Sequence, residues 1–90
     1  MKIQRKNRIS MSFEIKIVSK NGLEFESEVD SVTLPAKDGY ITVLRSHASL
    51  ITSLNAGTIT ARFSGQKEKN IEIMGGFSEI KDNKLTVLID

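Results

Sequence analysis

His47 is the side chain best suited to catalysis in this 90-residue chain, because it is the single histidine and cysteine is absent. A general base needs a partner that orients its ring, and no triad-like set of residues surrounds His47 in the sequence. Thiol catalysis, disulfides and cysteine metal sites are excluded. The sequence therefore predicts a hydrogen-bonded loop histidine, and we expect no catalytic, metal-binding or cofactor-binding residue.

Two further groups of residues are of types that could bind an ion. The first is an acidic row, Glu24, Glu26, Glu28 and Asp30. These acids alternate with other residues, so they lie along one strand face, whereas a cation site needs oxygens that converge. A solvated strand face is expected. The second pattern, Gly75-Gly76, could cradle an anion, but two glycines at a strand junction favour a bulge or a close backbone crossing.

The elements that carry these residues are short strands. From Met11 onward, apolar and polar residues alternate with period two, and turn signals such as Asn21-Gly22 and Asp82-Asn83 recur every 8–12 residues. The pattern predicts eight to ten strands in an all-β sandwich or barrel. Pro35 should end the third strand. The residues expected to face inward include Leu23 and the four phenylalanines, Phe13, Phe25, Phe63 and Phe77.

The charges divide the chain into a tail and a body. Residues 1–10 hold four of the 13 basic residues and no acid, so we expect a basic, disordered extension followed by one domain over residues 11–90. Met11 is an alternative translation start. No apolar run approaches the ~20 residues that span a bilayer, and no secretory signal is visible. The basic tail could also contact nucleic acid or anionic lipid.

Two segments resemble a known family. The first contains LPAKDG at 34–39, VL at 43–44 and HASL at 47–50, and the second runs from MGGFSEI at 74–80 to LTVLID at 85–90. With Asn55-Ala56-Gly57 between them, they are similar in order and spacing to the epsilon subunit of F-type ATP synthase. The departures are Thr42, which replaces a glycine, Arg45-Ser46, which replaces Pro-Gly, and Ser49, which replaces a proline.

The resemblance implies a flattened β-sandwich of mainly antiparallel strands at the foot of the rotor. Family members continue into a helical hairpin, so a chain ending at Asp90 is expected to be either a naturally short form without inhibitory helices or one domain of a longer protein. The implied role is a non-catalytic central-stalk subunit that links the gamma subunit to the membrane c-ring. It would sit peripherally on the cytoplasmic face of a bacterial membrane and would not form a stable homo-oligomer.

Matched positions assign two contact surfaces. The surface expected to face the c-ring is the turn Ala36, Lys37, Asp38, Gly39, Tyr40, Ile41 and Thr42, with Tyr40 and Ile41 as exposed anchors. The surface expected to face gamma consists of Arg45, Ser46, His47, Ala48 and Ser49, together with Gly75, Gly76 and Phe77.

The alternative is a small nucleic-acid-binding β-barrel that uses the basic tail. It predicts salt-sensitive oligonucleotide binding that disappears when residues 1–10 are removed.

Overall fold

Nine strands form the protein in the computed structural model, which describes residues 12–64 and 67–90. The predicted tail, the alternative start at Met11 and the nucleic-acid hypothesis built on the tail fall outside these residues. Over the described ranges no helix is long and apolar enough to cross a membrane. The strands are β1 (Phe13–Ser19), β2 (Gly22–Val29), β3 (Ser31–Ala36), β4 (Gly39–Val43), β5 (Leu50–Leu54), β6 (Gly57–Arg62), β7 (Glu68–Ile73), β8 (Gly76–Lys81) and β9 (Lys84–Ile89).

The strands form one curled sheet that folds into two layers. Layer one has the order β2-β1-β9-β8-β5, and layer two contains β4, β3, β6 and β7. The layers join where Ala36 pairs with Leu54. All described pairings are antiparallel except β1 with β9. The predicted all-β sandwich is confirmed, and its extents of 44 × 25 × 21 Å describe an elongated domain.

Alternating side chains of both layers build one core. Ile15, Val32, Ile59 and Val87 have no exposed surface, and together with the other inward residues they form a single apolar cluster. The ring of Phe25 in β2 and the ring of Phe63, the residue after β6, approach to 6.2 Å between centroids. Lys69 Nζ, from β7, lies over the Phe25 ring, 5.9 Å from its centroid. Both rings pack against the core, so their predicted inward placement is confirmed.

Two inward predictions are wrong. Leu23 is 57% exposed and Phe77 is 58% exposed. The register of β1 and β2 shifts between Ile17 and Val18, and this bulge turns Leu23 to the outer face. In β8 the buried residues are Ser78 and Ile80, so Phe77 is out of phase with them and points outward.

The prediction that Pro35 ends a strand is also wrong, since β3 continues to Ala36. Pairing of β3 with β6 ends at Thr33, and pairing with β5 occurs only at Ala36. Pro35 lies in the gap between these partners, where no ladder bond needs its missing N–H. Its carbonyl oxygen accepts a hydrogen bond from Asn55 N at 2.8 Å. The proline therefore sits where the sheet changes neighbours.

Candidate interaction surfaces

The tip, defined as residues Ala36–Thr42, is a hairpin whose turn residues Lys37 and Asp38 are exposed. Gly39 has a φ of 135°, a conformation that favours glycine. Asn55 braces the turn, because its Nδ2 donates to Ala36 O at 3.3 Å and to Lys37 O at 3.2 Å. The tip is therefore a supported protrusion that presents one positive and one negative side chain.

Tyr40 is held against its own domain. It is 58% exposed, yet its hydroxyl accepts a hydrogen bond from Thr58 N at 3.2 Å. A Cβ on Gly57 would lie 2.6 Å from the Tyr40 hydroxyl oxygen and 2.8 Å from Pro35 Cβ, so glycine makes room for this packing. Ile41 is half-buried against the core. Tyr40 therefore offers a fixed exposed ring, as expected of an anchor. Ile41 was also expected to be an exposed anchor, and that expectation is wrong.

The histidine loop, defined as residues Leu44–Ser49, begins with a turn closed by His47 N donating to Leu44 O at 3.2 Å. Ser46 has a φ of 65°, the left-handed conformation that the third position of a type II turn requires. His47 is half-buried, and its Nδ1 donates to Ala48 O at 2.7 Å. The predicted hydrogen-bonded loop histidine is confirmed.

Gly75 and Gly76 mark a close backbone crossing, as expected. A Cβ on Gly76 would lie 2.1 Å from Leu88 O, so no side chain fits there. Asp90 N donates to Gly75 O at 3.1 Å, which joins the end of β9 to the start of β8. The crossing brings β8 and β9 together just before Phe77.

The structure separates the two parts of the surface expected to face gamma. Pairing of β5 with β8 places Leu50, next to the histidine loop, opposite Ile80, and places Leu54 opposite Gly76. Leu50 and Leu54 are four positions apart along β5, so the two parts are separated by about 13 Å. Because Leu54 also pairs with Ala36, the glycines sit at the tip end of the sandwich.

An apolar face covers the outside of layer one, and of its residues sequence reasoning named only Phe77 as part of a contact surface. A row of outward-facing residues crosses five strands in the order β2, β1, β9, β8 and β5. Its successive cross-strand pairs are Leu23–Val18, Val18–Leu88, Leu88–Phe77 and Phe77–Ser53. Leu88 is 53% exposed, and Ile51, diagonal to Phe77, is 71% exposed. We define the apolar face as Val18, Leu23, Ile51, Phe77 and Leu88. Period two in β8 and β9 carries part of its signal, but the register that aligns the row does not follow from the sequence.

The outside of layer two is different. Its threonine face, defined as Thr33, Thr42, Thr58, Thr60, Arg62, Glu68, Asn70 and Glu72, is polar. Thr33 and Thr42 hydroxyls lie 3.1 Å apart, and Thr60 donates to Asn70 Oδ1 at 2.8 Å. Thr58 donates to Glu72 at 2.8 Å, and Arg62 Nη1 donates to Thr33 Oγ1 at 3.0 Å. Arg62 Nε also lies 3.5 Å from Glu68 Oε2. This face satisfies its own polar groups.

Other ion sites find no support in the described ranges. Glu24, Glu26 and Glu28 are exposed, as predicted for a solvated strand face. Within residues 12–64 and 67–90, no three acids or histidines come together as a metal site would require. The features left for function are the tip, the histidine loop and the two outer faces.

Comparison with known sequences identifies the same domain type. The profile described as "ATP synthase, Delta/Epsilon chain, beta-sandwich domain" matches residues 12–90. The ATP synthase epsilon chain of Desulfitobacterium hafniense (strain DSM 10664 / DCB-2) is 40% identical over 79 residues, which cover 88% of this chain and 59% of the relative. The chloroplastic epsilon chain of Mesostigma viride is 38% identical with the same coverage. The chain thus spans 59% of the length of these relatives.

Solved structures share the fold. A chain in the mitochondrial ATP synthase assembly of Euglena gracilis, described as OSCP/F1/c-ring, superimposes with a TM-score of 0.82 at 18% identity. The match covers 88% of this chain and 51% of that one. A chain of the Tetrahymena thermophila central stalk and c-ring superimposes with a TM-score of 0.70 at 13% identity. At these identities the comparison shows the fold alone.

Proposed function

Since the chain belongs to the ATP synthase delta/epsilon β-sandwich family, we propose that it is the epsilon-type subunit of the F1 central stalk. In this role it ties the gamma subunit to the membrane c-ring and helps couple proton flow to ATP synthesis. Residues 12–90 act by binding and transmit torque without bond chemistry. The subunit lies at the cytoplasmic side of a bacterial membrane and is attached to it through the complex.

The apolar face is the observation that carries this proposal. Phe77 and Leu88 pair across neighbouring strands on the outer surface, both more than half exposed, with Ile51 beside them. Contiguous exposed apolar side chains on a small domain mark a protein interface, and aromatic side chains at its centre contribute most of the binding free energy. A domain of this size also gains stability from a permanent partner. The gamma subunit is the proposed occupant.

The two separated parts of the predicted gamma surface both adjoin the β5–β8 end of this face. The histidine loop leads directly into β5, which carries Ile51, and the glycine crossing directly precedes Phe77. Their separation of about 13 Å is within the width of an interface that buries ~800 Å² per partner. One gamma subunit lying across β5, β8 and β9 can contact both, including Phe77 in the second part.

The tip is the proposed contact to the c-ring. Its turn residues Lys37 and Asp38 are exposed and oppositely charged, which suits polar loops of a ring. The braces from Asn55 limit the motion of the turn, so force applied there passes into the sandwich. In this arrangement the tip contacts the ring while the apolar face stays on gamma.

Co-purification tests the proposal. The full 90-residue chain and the cognate gamma subunit, mixed at micromolar concentration and separated by size exclusion, should elute as one complex. Separate elution of two folded proteins would overturn the gamma assignment. Reconstitution with c-ring and gamma then tests the tip: Lys37→Glu with Asp38→Lys, a charge swap, should weaken attachment to the ring and leave the gamma complex intact.

A further inference from the structure

The side chain of Asn83 connects two turns that are distant in sequence. Its Oδ1 accepts a hydrogen bond from Ser46 N at 2.7 Å, across 37 residues. Its backbone oxygen accepts a second bond from Glu14 N at 3.1 Å. One residue in the β8–β9 turn therefore links the histidine loop to the start of β1.

The histidine loop needs such support. Ser46 adopts a φ of 65°, a conformation that costs an L-residue with a Cβ and that glycine adopts freely. A strained residue of this kind persists only where its surroundings fix it. The Asn83 bond acts directly on the Ser46 amide, so it holds the strained residue itself.

A second contact supports the same loop from the β1 side. Arg45 Nη1 donates to Ser12 O at 2.9 Å. This bond depends on a long, exposed side chain, whereas the Asn83 bond joins a short side chain to the backbone. The Asn83 contact is therefore the more rigid of the two, because fewer rotatable bonds lie between its ends.

From this geometry we infer that Asn83 is the positioning residue of the histidine loop. Its carboxamide holds Ser46 in the left-handed conformation and fixes His47, Ala48 and Ser49 in place before a partner arrives. A pre-formed surface binds more tightly, because less ordering is left for the binding step. The identity of the partner, the gamma subunit, rests on the proposed function, whereas the positioning of the loop does not.

A matched pair of variants at Asn83 distinguishes its support of the histidine loop from its part in forming the β8–β9 turn. Asp82 and Asn83 have φ values of 52° and 61°, as in a type I′ turn, for which Asp-Gly is a favoured sequence. Asn83→Gly therefore keeps the hairpin and removes only the acceptor. Asn83→Asp keeps an acceptor oxygen at the same place and tolerates the left-handed conformation.

The experiment measures the loop and the binding separately. In the full chain, NMR amide exchange at Ser46 should become roughly tenfold faster in Asn83→Gly, and the affinity for the cognate gamma subunit should fall about fivefold by calorimetry. Asn83→Asp should restore both values to near wild type. The urea midpoint of Asn83→Gly should stay near that of the wild type, because glycine at a φ of 61° relieves backbone strain that offsets the lost hydrogen bond.

Each result decides a different point. If amide exchange at Ser46 is unchanged in Asn83→Gly, the inference is overturned. It is also overturned if exchange at Ser46 becomes faster in this variant but its affinity for gamma does not change. Weaker binding with a lower urea midpoint would assign the loss to folding and would also contradict it. If the wild type does not bind gamma, the proposed function fails, and Ser46 exchange alone still decides whether Asn83 holds the loop.

Discussion

The two outer faces of the sandwich share one architecture but differ in what they leave unsatisfied. On the threonine face, hydroxyl, amide and carboxylate groups bond to one another across four strands. On the apolar face, Phe77 and Leu88 are paired on neighbouring strands, and both side chains are exposed to solvent. A polar face that satisfies itself needs only water, whereas exposed apolar area is stabilised when a partner covers it. The contrast is the reason we propose the apolar face, and not the threonine face, as the docking surface.

The largest expected effect concerns the crossing beneath the apolar face. Gly76→Ala places a Cβ 2.1 Å from Leu88 O, so β8 and β9 must separate. We expect a loss of about 3 kcal/mol or more in the free energy of unfolding, measured with urea. The control is Gly39→Ala at the tip, where φ is 135° but no atom lies within 4 Å of the added Cβ. It should cost only about 1–2 kcal/mol. Equal losses would show that the crossing is less tight than described.

The next effect tests the apolar face as a binding surface. Phe77→Asp should weaken gamma binding by roughly 2–4 kcal/mol, because it removes a central aromatic anchor and leaves a charge in the interface. Thr42→Asp, on the threonine face, is the matched control and should leave the affinity unchanged. Calorimetry measures both. If the control weakens binding and Phe77→Asp does not, the assignment of the faces is reversed.

A smaller effect tests whether the threonine face is satisfied internally. Thr60→Val keeps the shape but removes the hydroxyl that donates to Asn70 Oδ1 at 2.8 Å. We expect a loss of about 1 kcal/mol in unfolding free energy and no change in gamma affinity. A double-mutant cycle with Asn70→Ala isolates the pair. A coupling energy near zero would mean that water replaces the bond at no cost.

The smallest effect concerns Ser46. Ser46→Gly relieves a φ of 65° but makes the unfolded chain more flexible, so the net gain should be about 0.5–1 kcal/mol in unfolding free energy. The urea midpoint checks this. Ala48→Gly, a loop residue without positive φ, should instead be neutral or destabilising. If Ala48→Gly raises the free energy of unfolding and Ser46→Gly does not, the conclusion that the Ser46 backbone is strained would be contradicted.

Much of the fold could be predicted from the sequence. Period two fixed the strands, because each strand has one buried side, and turn residues such as Asp82-Asn83 marked the connections. The close crossing at Gly75-Gly76 and the hydrogen-bonded loop histidine also followed from residue types. The resemblance over residues 12–90 identified the family, because several short motifs kept their order and spacing.

The faces could not be predicted, since they depend on register between strands that are distant in sequence. A bulge in β2 reversed the orientation of Leu23, and no local signal marks it. Leu88 meets Val18 only because β9 pairs in parallel with β1. The bond from Ser46 to Asn83 likewise joins loops that alternation alone cannot place together.

Methyl NMR of the gamma complex tests the central claim most directly. On addition of the cognate gamma subunit to the labelled chain, the methyl signals of Val18, Ile51 and Leu88 should shift or broaden. Those of Thr33, Thr42 and Thr60 should stay in place, which makes the threonine face an internal control in the same spectrum. Perturbed threonine methyls with unchanged Ile51 and Leu88 signals would contradict the claim that gamma docks on the apolar face.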